Sequence, residues 1–388
     1  MLTLLLRVPD KLFDDVPDRK GTSSLKWAKY ESSEIIPLWV ADMDFRSPVE
    51  VTREAQEICK AGNFGYGICP QTLTDTIVGR MSDMYNWSIN QGWVTWLPGM
   101  VCGLNVSCRA IANQATQVIT NTPVYPPFLS SPFNSGLSCT QVPMVLEDGR
   151  FTIDFNYLQS LHTKSGDLFM LCHPHNPVGT NFTLNELTQL SEFILERGLY
   201  ICSDEIHCDL ILEDSLKHIP FASLSHEIAD RTITLMAPSK TFNLAGFGCS
   251  FAVISNPELR RRFKGAMSGI VPDPPAMGFR LAEVAYREGE EWRSRLLHYL
   301  RANRDFVFNE LLSVKGLTPY SPQATYLLWI DARDLDVDCP FSFFEDAGVG
   351  LSNGKDFGAP GFLRLNLGCT YSLLELAVAR MKAAVARL

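Results

Sequence analysis

A chain of 388 residues with 46% apolar and 20% charged side chains is long enough to bury a large core and to form two domains. A net charge of −9 argues against the basic footprint of a nucleic-acid-binding protein, and otherwise favours solubility without pointing to a substrate. No apolar run reaches the roughly 18 residues of a membrane span, and the apolar segment 2–6 is too short for a secretory leader and has no basic run before it, so the chain reads as cytoplasmic.

In chain order, the first ~45 residues form an arm with little periodicity until Ile36-Pro37-Leu38-Trp39-Val40. A Pro-Gly loop, Leu97-Pro98-Gly99-Met100-Val101-Cys102-Gly103, then leads into a helical stretch at 104–112. Short apolar, β-branched runs at 117–120, 168–172, 199–202, 232–236 and 250–254 read as strands. Helical stretches alternate with many of them; in 184–197, Leu187, Leu190, Phe193 and Ile194 share one face. This alternation predicts an α/β fold in three layers around a mostly parallel sheet, with ligands bound at the carboxyl ends of the strands. A Gly/Pro-rich segment at 268–275 ends the sheet region. A long helix at 277–314, an alternating strand at 324–331 and a C-terminal helix at 372–388 then predict a smaller α+β domain. The expected division is an arm at 1–47 packing with the small domain, a large domain at 48–276 and a small domain at 277–388. The 11 cysteines are odd in number and irregularly spaced, and several (Cys172, Cys202, Cys249) sit in apolar runs, so they read as reduced, small hydrophobes.

Four strand ends carry polar groups suited to chemistry. Lys240 follows the run 232–236 in Ala237-Pro238-Ser239-Lys240-Thr241-Phe242-Asn243. A lysine at the end of a buried strand is costly unless paired, neutral or covalently used. A Schiff base with pyridoxal phosphate would use it covalently, and that cofactor leaves the protein to hold it, tune its ring and move protons. Asp204, in Ser203-Asp204-Glu205-Ile206-His207, suits the pyridine nitrogen, although an aspartate also caps helices and turns. Glu205 and His207 stand behind it, His207 reading equally as a satisfied structural histidine. Asn176, in His173-Pro174-His175-Asn176-Pro177-Val178-Gly179, is a neutral donor for the phenolic oxygen and stands 28 residues before Asp204. By itself, Asn-Pro with a nearby Gly is an ordinary turn. Backbone amides at Gly99, Met100 and Val101, opening a helix, suit a phosphate. Tyr125, pinned between prolines in Pro123-Val124-Tyr125-Pro126-Pro127, can stack on a ring and offer its hydroxyl. Arg364, in Phe362-Leu363-Arg364-Leu365-Asn366, suits a substrate carboxylate, although a charge opposite Leu363 and Leu365 is commonly just solvated.

Together these segments resemble fold-type I pyridoxal-phosphate enzymes of the aspartate-aminotransferase type over nearly the whole chain. Within them, Trp39-Val40-Ala41-Asp42-Met43-Asp44-Phe45, Phe64-Gly65-Tyr66-Gly67 and Ser239-Lys240-Thr241-Phe242-Asn243 are similar to the MalY/PatB branch of cystathionine β-lyase-like C–S lyases. The resemblance implies that Lys240 anchors the cofactor and, with Tyr125, forms the catalytic set. It implies that Asp204, Asn176, Tyr125, His207, Ser239 and the Gly99–Val101 amides hold the cofactor. Arg364, Trp39, Val40 and Tyr66 would bind the amino-acid substrate. It further implies a homodimer in which Tyr66 reaches the partner's site and touches the phosphate. Many relatives carry a hydroxyl three residues before the lysine and a basic residue eight after it; here those positions are Ala237 and Gly248. The implied activity is α,β-elimination of an S-substituted cysteine. An aminotransferase, a specialised or decarboxylating pyridoxal-phosphate enzyme, and a catalytically silent regulatory protein are the alternatives.

Overall fold

The structure is a computed structural model and describes residues 10–31 and 33–388. The start of the expected arm, including segment 2–6, lies outside the described residues. Among the described residues no helix is long and apolar enough to cross a membrane.

The apolar runs form one eight-stranded sheet in the order Val94–Leu97, Ser250–Val253, Thr232–Met236, Tyr200–Asp204, Leu168–Cys172, Gln117–Thr122, Ser138–Glu147, Arg150–Ile153. The five strands from Thr232–Met236 to Ser138–Glu147 run parallel. Ser250–Val253 runs antiparallel to both of its neighbours, and Arg150–Ile153 closes the other edge antiparallel. The central strands Leu168–Cys172 and Thr232–Met236 are buried along their whole length, as strands covered on both faces must be. One layer packs helices Met100–Ile111 and Pro257–Met267 through Leu104, Ile111, Leu259 and Phe263. The other packs Leu184–Arg197 through the four residues its periodicity predicts. That helix starts at a capping box between Thr183 and Glu186 and stops at Gly198, whose φ of 65° suits a residue without a Cβ.

A second, four-stranded antiparallel sheet joins Thr318–Tyr320, Leu327–Asp331, Phe362–Asn366 and Ser352–Asn353. Its register places Arg364 beside Trp329 on one strand and Ser352 on the other. The arm joins this region by pairing Ile36–Pro37 in parallel with Val349–Gly350.

Three expectations are corrected. The helix expected at 277–314 is two helices, Ala276–Glu288 and Glu290–Leu312, broken at Gly289. There a Cβ would lie 2.4 Å from the Ala285 carbonyl and 2.6 Å from the Phe242 ring, so glycine lets the Lys240 loop close on the break. The strand expected at 324–331 begins only at Leu327, because Thr325 takes a φ of 72° and donates its amide to Leu210. It is buried from Leu327 to Ile330 rather than alternating, since both faces of the small sheet are covered. The arm, read as aperiodic, contains two short helices, Lys11–Asp14 and Leu25–Ala28, each started by a side-chain cap from Asp10 or Ser24. The 11 cysteines are free, with Cys172, Cys202 and Cys249 buried.

Candidate active site

The carboxyl ends of the parallel strands open into a cavity of about 740 Å³, which the arm and the small sheet close from the other side. Lys240, Asp204, Asn176, Tyr125 and Arg364 all border it, as do Trp39, Val40, His207, Ser239 and Gly99–Val101. Of the site residues expected from the sequence, Tyr66 alone is elsewhere: it is fully exposed between Phe64 and Ile68, themselves 72% and 89% exposed.

Lys240 donates from Nζ to the Ala41 carbonyl at 2.5 Å, and the Tyr326 hydroxyl donates to the same oxygen at 3.0 Å. Burial pushes the Lys240 ammonium down to about 8, the Asp42 charge opposing it. The lysine therefore has a substantial neutral fraction at mildly alkaline pH, as a proton acceptor requires.

Asp204 ends its strand almost fully buried. Its Oδ1 accepts from the Ile206 amide at 3.1 Å. Burial pushes its carboxyl up to about 7, with the Glu205 charge adding to the rise. Among the described residues no cation forms an ion pair with this carboxylate, the Lys240 charge only moderating the rise, and a protonated pyridine nitrogen would supply one. A carboxyl raised from its ordinary range to about 7 binds its extra proton in the folded state, so stability falls as pH rises through that interval. Cofactor-free protein is expected to lose about 2 kcal/mol of unfolding free energy from this group between about pH 5 and 7. Denaturant titrations should show that loss shrinking in Asp204→Asn and in cofactor-loaded protein; an unchanged slope in both would refute the assignment.

Behind Asp204, Glu205 turns away from the cavity. Its Oε2 lies 2.7 Å from His218 Nε2, and its Oε1 accepts from the Ser203 hydroxyl and the Phe221 amide. His207 faces the cavity instead. Burial lowers its imidazole to about 3, so it is neutral, and its Nδ1 has no partner among the described residues.

Asn176 Oδ1 accepts from Arg364 Nη1 at 2.9 Å, which orients the amide and leaves its NH₂ as a donor. Its loop is fixed by Tyr125 N to the Asn176 carbonyl at 3.1 Å and by His175 Nε2 to the Pro123 carbonyl at 2.8 Å. Arg364 is buried, not solvated. Nη2 donates to the Trp39 carbonyl at 2.8 Å and the Ser352 hydroxyl at 3.1 Å, while its plane lies 4.6 Å from the Phe357 ring centre. Its Nε is buried without a partner among the described residues. Burial lowers the guanidinium to about 10, so it stays charged at neutral pH.

At the opposite end, helix Met100–Ile111 starts with Gly99 as N-cap and no side-chain cap, leaving its first-turn amides available to an anion. A Cβ on Gly99 would meet open space, whereas on Gly248 it would lie 3.0 Å from the Pro98 carbonyl and require a φ of 59°. Gly248 thus lets its loop pass close over Pro98, and Ala237 is buried in the core. Pyridoxal phosphate fits this donor set: an amine, a buried carboxylate needing a cation, an oriented amide donor, an aromatic wall and a helix N-terminus.

Beyond Trp39 and Val40, which were expected at the site, several residues around it were not read from the sequence. Segment 39–45 is a strap held through its backbone. Asn366 Nδ2 donates to the Val40 and Asp42 carbonyls, both at 2.7 Å, and Asn243 Nδ2 donates to those of Met43 and Phe45 at 2.9 and 2.8 Å. Asp44 anchors it to fully buried Lys26 at 2.8 Å, Arg19 at 3.0 Å and Trp27 Nε1 at 2.9 Å. Asn366 lay two residues from Arg364, on the same face of a strand, and Asn243 three from Lys240. Ser352 and Phe357 carried no such signal.

The family model described as aminotransferase class I and II matches residues 33–381. The chain is 36% identical to cystathionine β-lyase PatB of Bacillus subtilis (strain 168), over 96% of this chain and 99% of that protein. Among solved structures it is similar to OvoB, with a TM-score of 0.93, 43% identity and coverage of 96% of this chain and 98% of that one. It is also similar to cystalysin from Treponema denticola, whose crystal structure contains pyridoxal 5'-phosphate, with a TM-score of 0.90, 30% identity and coverage of 97% and 98%.

Proposed function

Because the chain belongs to the aminotransferase class I and II family, we propose that it is a pyridoxal-phosphate-dependent carbon–sulfur β-lyase. It converts an S-substituted L-cysteine and water into a thiol, pyruvate and ammonia. The observation that carries the reading is the convergence of Lys240, Asp204, Asn176, Tyr125 and Arg364 on one cavity. The PatB relative and the C–S lyase structures favour elimination over transamination.

Bound in this cavity, the cofactor supplies an electron sink for the pair left on Cα when its proton is removed. The protein does the rest. Arg364, prevented from rotating by Trp39, Ser352 and Asn176, presents a fixed fork to the α-carboxylate. Lys240 anchors the cofactor and, once free, takes the Cα proton on Nζ. Its lowered basicity keeps a neutral fraction ready, and the Ala41 carbonyl gives its N–H a resting partner. With the cofactor bound, Asp204 would fix positive charge at the ring nitrogen, Asn176 would donate to the phenolic oxygen and Tyr125 would pack on the ring. Ser239 and the Gly99–Val101 amides would take the phosphate, offsetting the missing side chains at Ala237 and Gly248. The strap from Trp39 to Ala41 covers one side of the cavity and limits the water that reaches it.

The same reading includes the division into an arm (1–47), a cofactor-binding domain (48–276) and a small domain (277–388), a cytoplasmic location, and a homodimer. The exposed run Phe64, Tyr66 and Ile68 supports the last, since an apolar surface of this kind marks an interface; the partner's Tyr66 then completes the phosphate end. The test is incubation of the holoenzyme with L-cystathionine and other cysteine conjugates. Thiol and pyruvate released without a keto acid support the lyase. Turnover that requires a keto acid and releases no thiol makes it an aminotransferase.

A further inference from the structure

Five charged side chains border the cavity: Lys29, Asp204, Lys240, Asp356 and Arg364. The proposed chemistry employs three, leaving Lys29 and Asp356, of opposite sign. Neither belongs to the large sheet. Lys29 follows the arm helix Leu25–Ala28, and Asp356 lies in the 3-10 turn Gly354–Phe357.

Trp39 links the two to the reacting end. Its carbonyl accepts from Arg364 Nη2 at 2.8 Å and from the Ser352 hydroxyl at 2.6 Å, and Asn353, next in the chain, caps the turn that carries Asp356. On the other side, the Lys29 ammonium lies 5.2 Å from the centre of the Trp39 ring, 5.2 Å from Phe341 and 4.6 Å from Tyr30. The Lys29 side chain is 38% exposed, so these rings attract its ammonium through their faces while leaving it accessible to a ligand. Its ion-pair partner is Glu345 at 3.2 Å. Glu345 also accepts the Tyr30 hydroxyl, so it stays hydrogen-bonded when Lys29 turns to another anion. Lysine, a point charge on a flexible stem, suits such an exchange better than a fixed fork.

We propose that Lys29 and Asp356 are specificity-determining residues that select the group on the substrate sulfur, favouring a substituent that ends in a second amino-acid head, its carboxylate on Lys29 and its ammonium on Asp356. The proposal rests on the lyase reading for the orientation of the reacting end at Arg364. A small apolar substituent leaves both charges unused and gains nothing from them.

The test compares L-cystathionine with S-methyl-L-cysteine, which shares the reacting end and lacks the far head. Holoenzymes of the wild type, Lys29→Met, Lys29→Arg and Asp356→Asn are assayed for thiol and pyruvate release, and ligand affinity is read independently from the change in absorbance of the bound cofactor. Lys29→Met and Asp356→Asn are expected to weaken L-cystathionine about tenfold, through KM, and to leave S-methyl-L-cysteine unchanged, with Lys29→Arg retaining most of the affinity. Equal loss on both ligands, or loss on neither, overturns the proposal. If the wild type releases thiol from neither ligand, the lyase reading fails, and the absorbance titrations still decide the role of Lys29 and Asp356.

Discussion

Lys240→Ala is expected to lose thiol release by at least about 10³-fold, since proton transfer alone contributes ~10²–10⁴ and the cofactor anchor is lost with it. The visible absorbance band of the bound cofactor should vanish or shift in the same variant. Elimination at the wild-type rate would sink the mechanism outright. The change is expected to cost little stability: Lys240 is a partly desolvated cation whose acidity is already raised, so removing it relieves a penalty. A large fall in Tm would mean instead that the bond to Ala41 holds the strap in place.

Arg364→Met is expected to lower kcat/KM by roughly 10²-fold, the loss of one charge-assisted pair worth about 3 kcal/mol. Arg364→Lys should restore little, because a single ammonium cannot bond the carboxylate while also reaching Trp39, Ser352 and Asn176. The retained absorbance band of each variant separates this loss from collapse of the site, since Met leaves Asn176 Oδ1 without its donor. Kinetics on S-methyl-L-cysteine check the outcome; a change confined to L-cystathionine would move Arg364 from the α-carboxylate to the far end.

The two variants probe residues of unequal legibility. Lys240 is conspicuous in the chain because a charge four residues beyond the buried strand Thr232–Met236 interrupts an apolar run. Arg364 was ambiguous. Its alternation with Leu363 and Leu365 fits a solvated face equally well, and only the arm lying across the small sheet decides that this face is buried. Likewise the helix expected at 277–314 had a continuous pattern. Its break at Gly289 follows from Phe242, 47 residues away, needing the space of a missing Cβ.

The sequence by itself determined the strand-and-helix alternation, and with it a parallel sheet whose carboxyl ends carry Tyr125, Asn176, Asp204 and Lys240. Those signals are local: periodicity, turn residues and polar groups at run ends. Tertiary structure alone decided which distant pieces close the cavity. The arm strap at 39–45, its anchor Asp44–Lys26, the hydroxyl of Ser352 and the charges of Lys29 and Asp356 at the cavity edge come from regions with no shared local pattern. Their juxtaposition depends on backbone carbonyls accepting side chains some 200 to 325 residues away, and such acceptors are the same at every position of a chain.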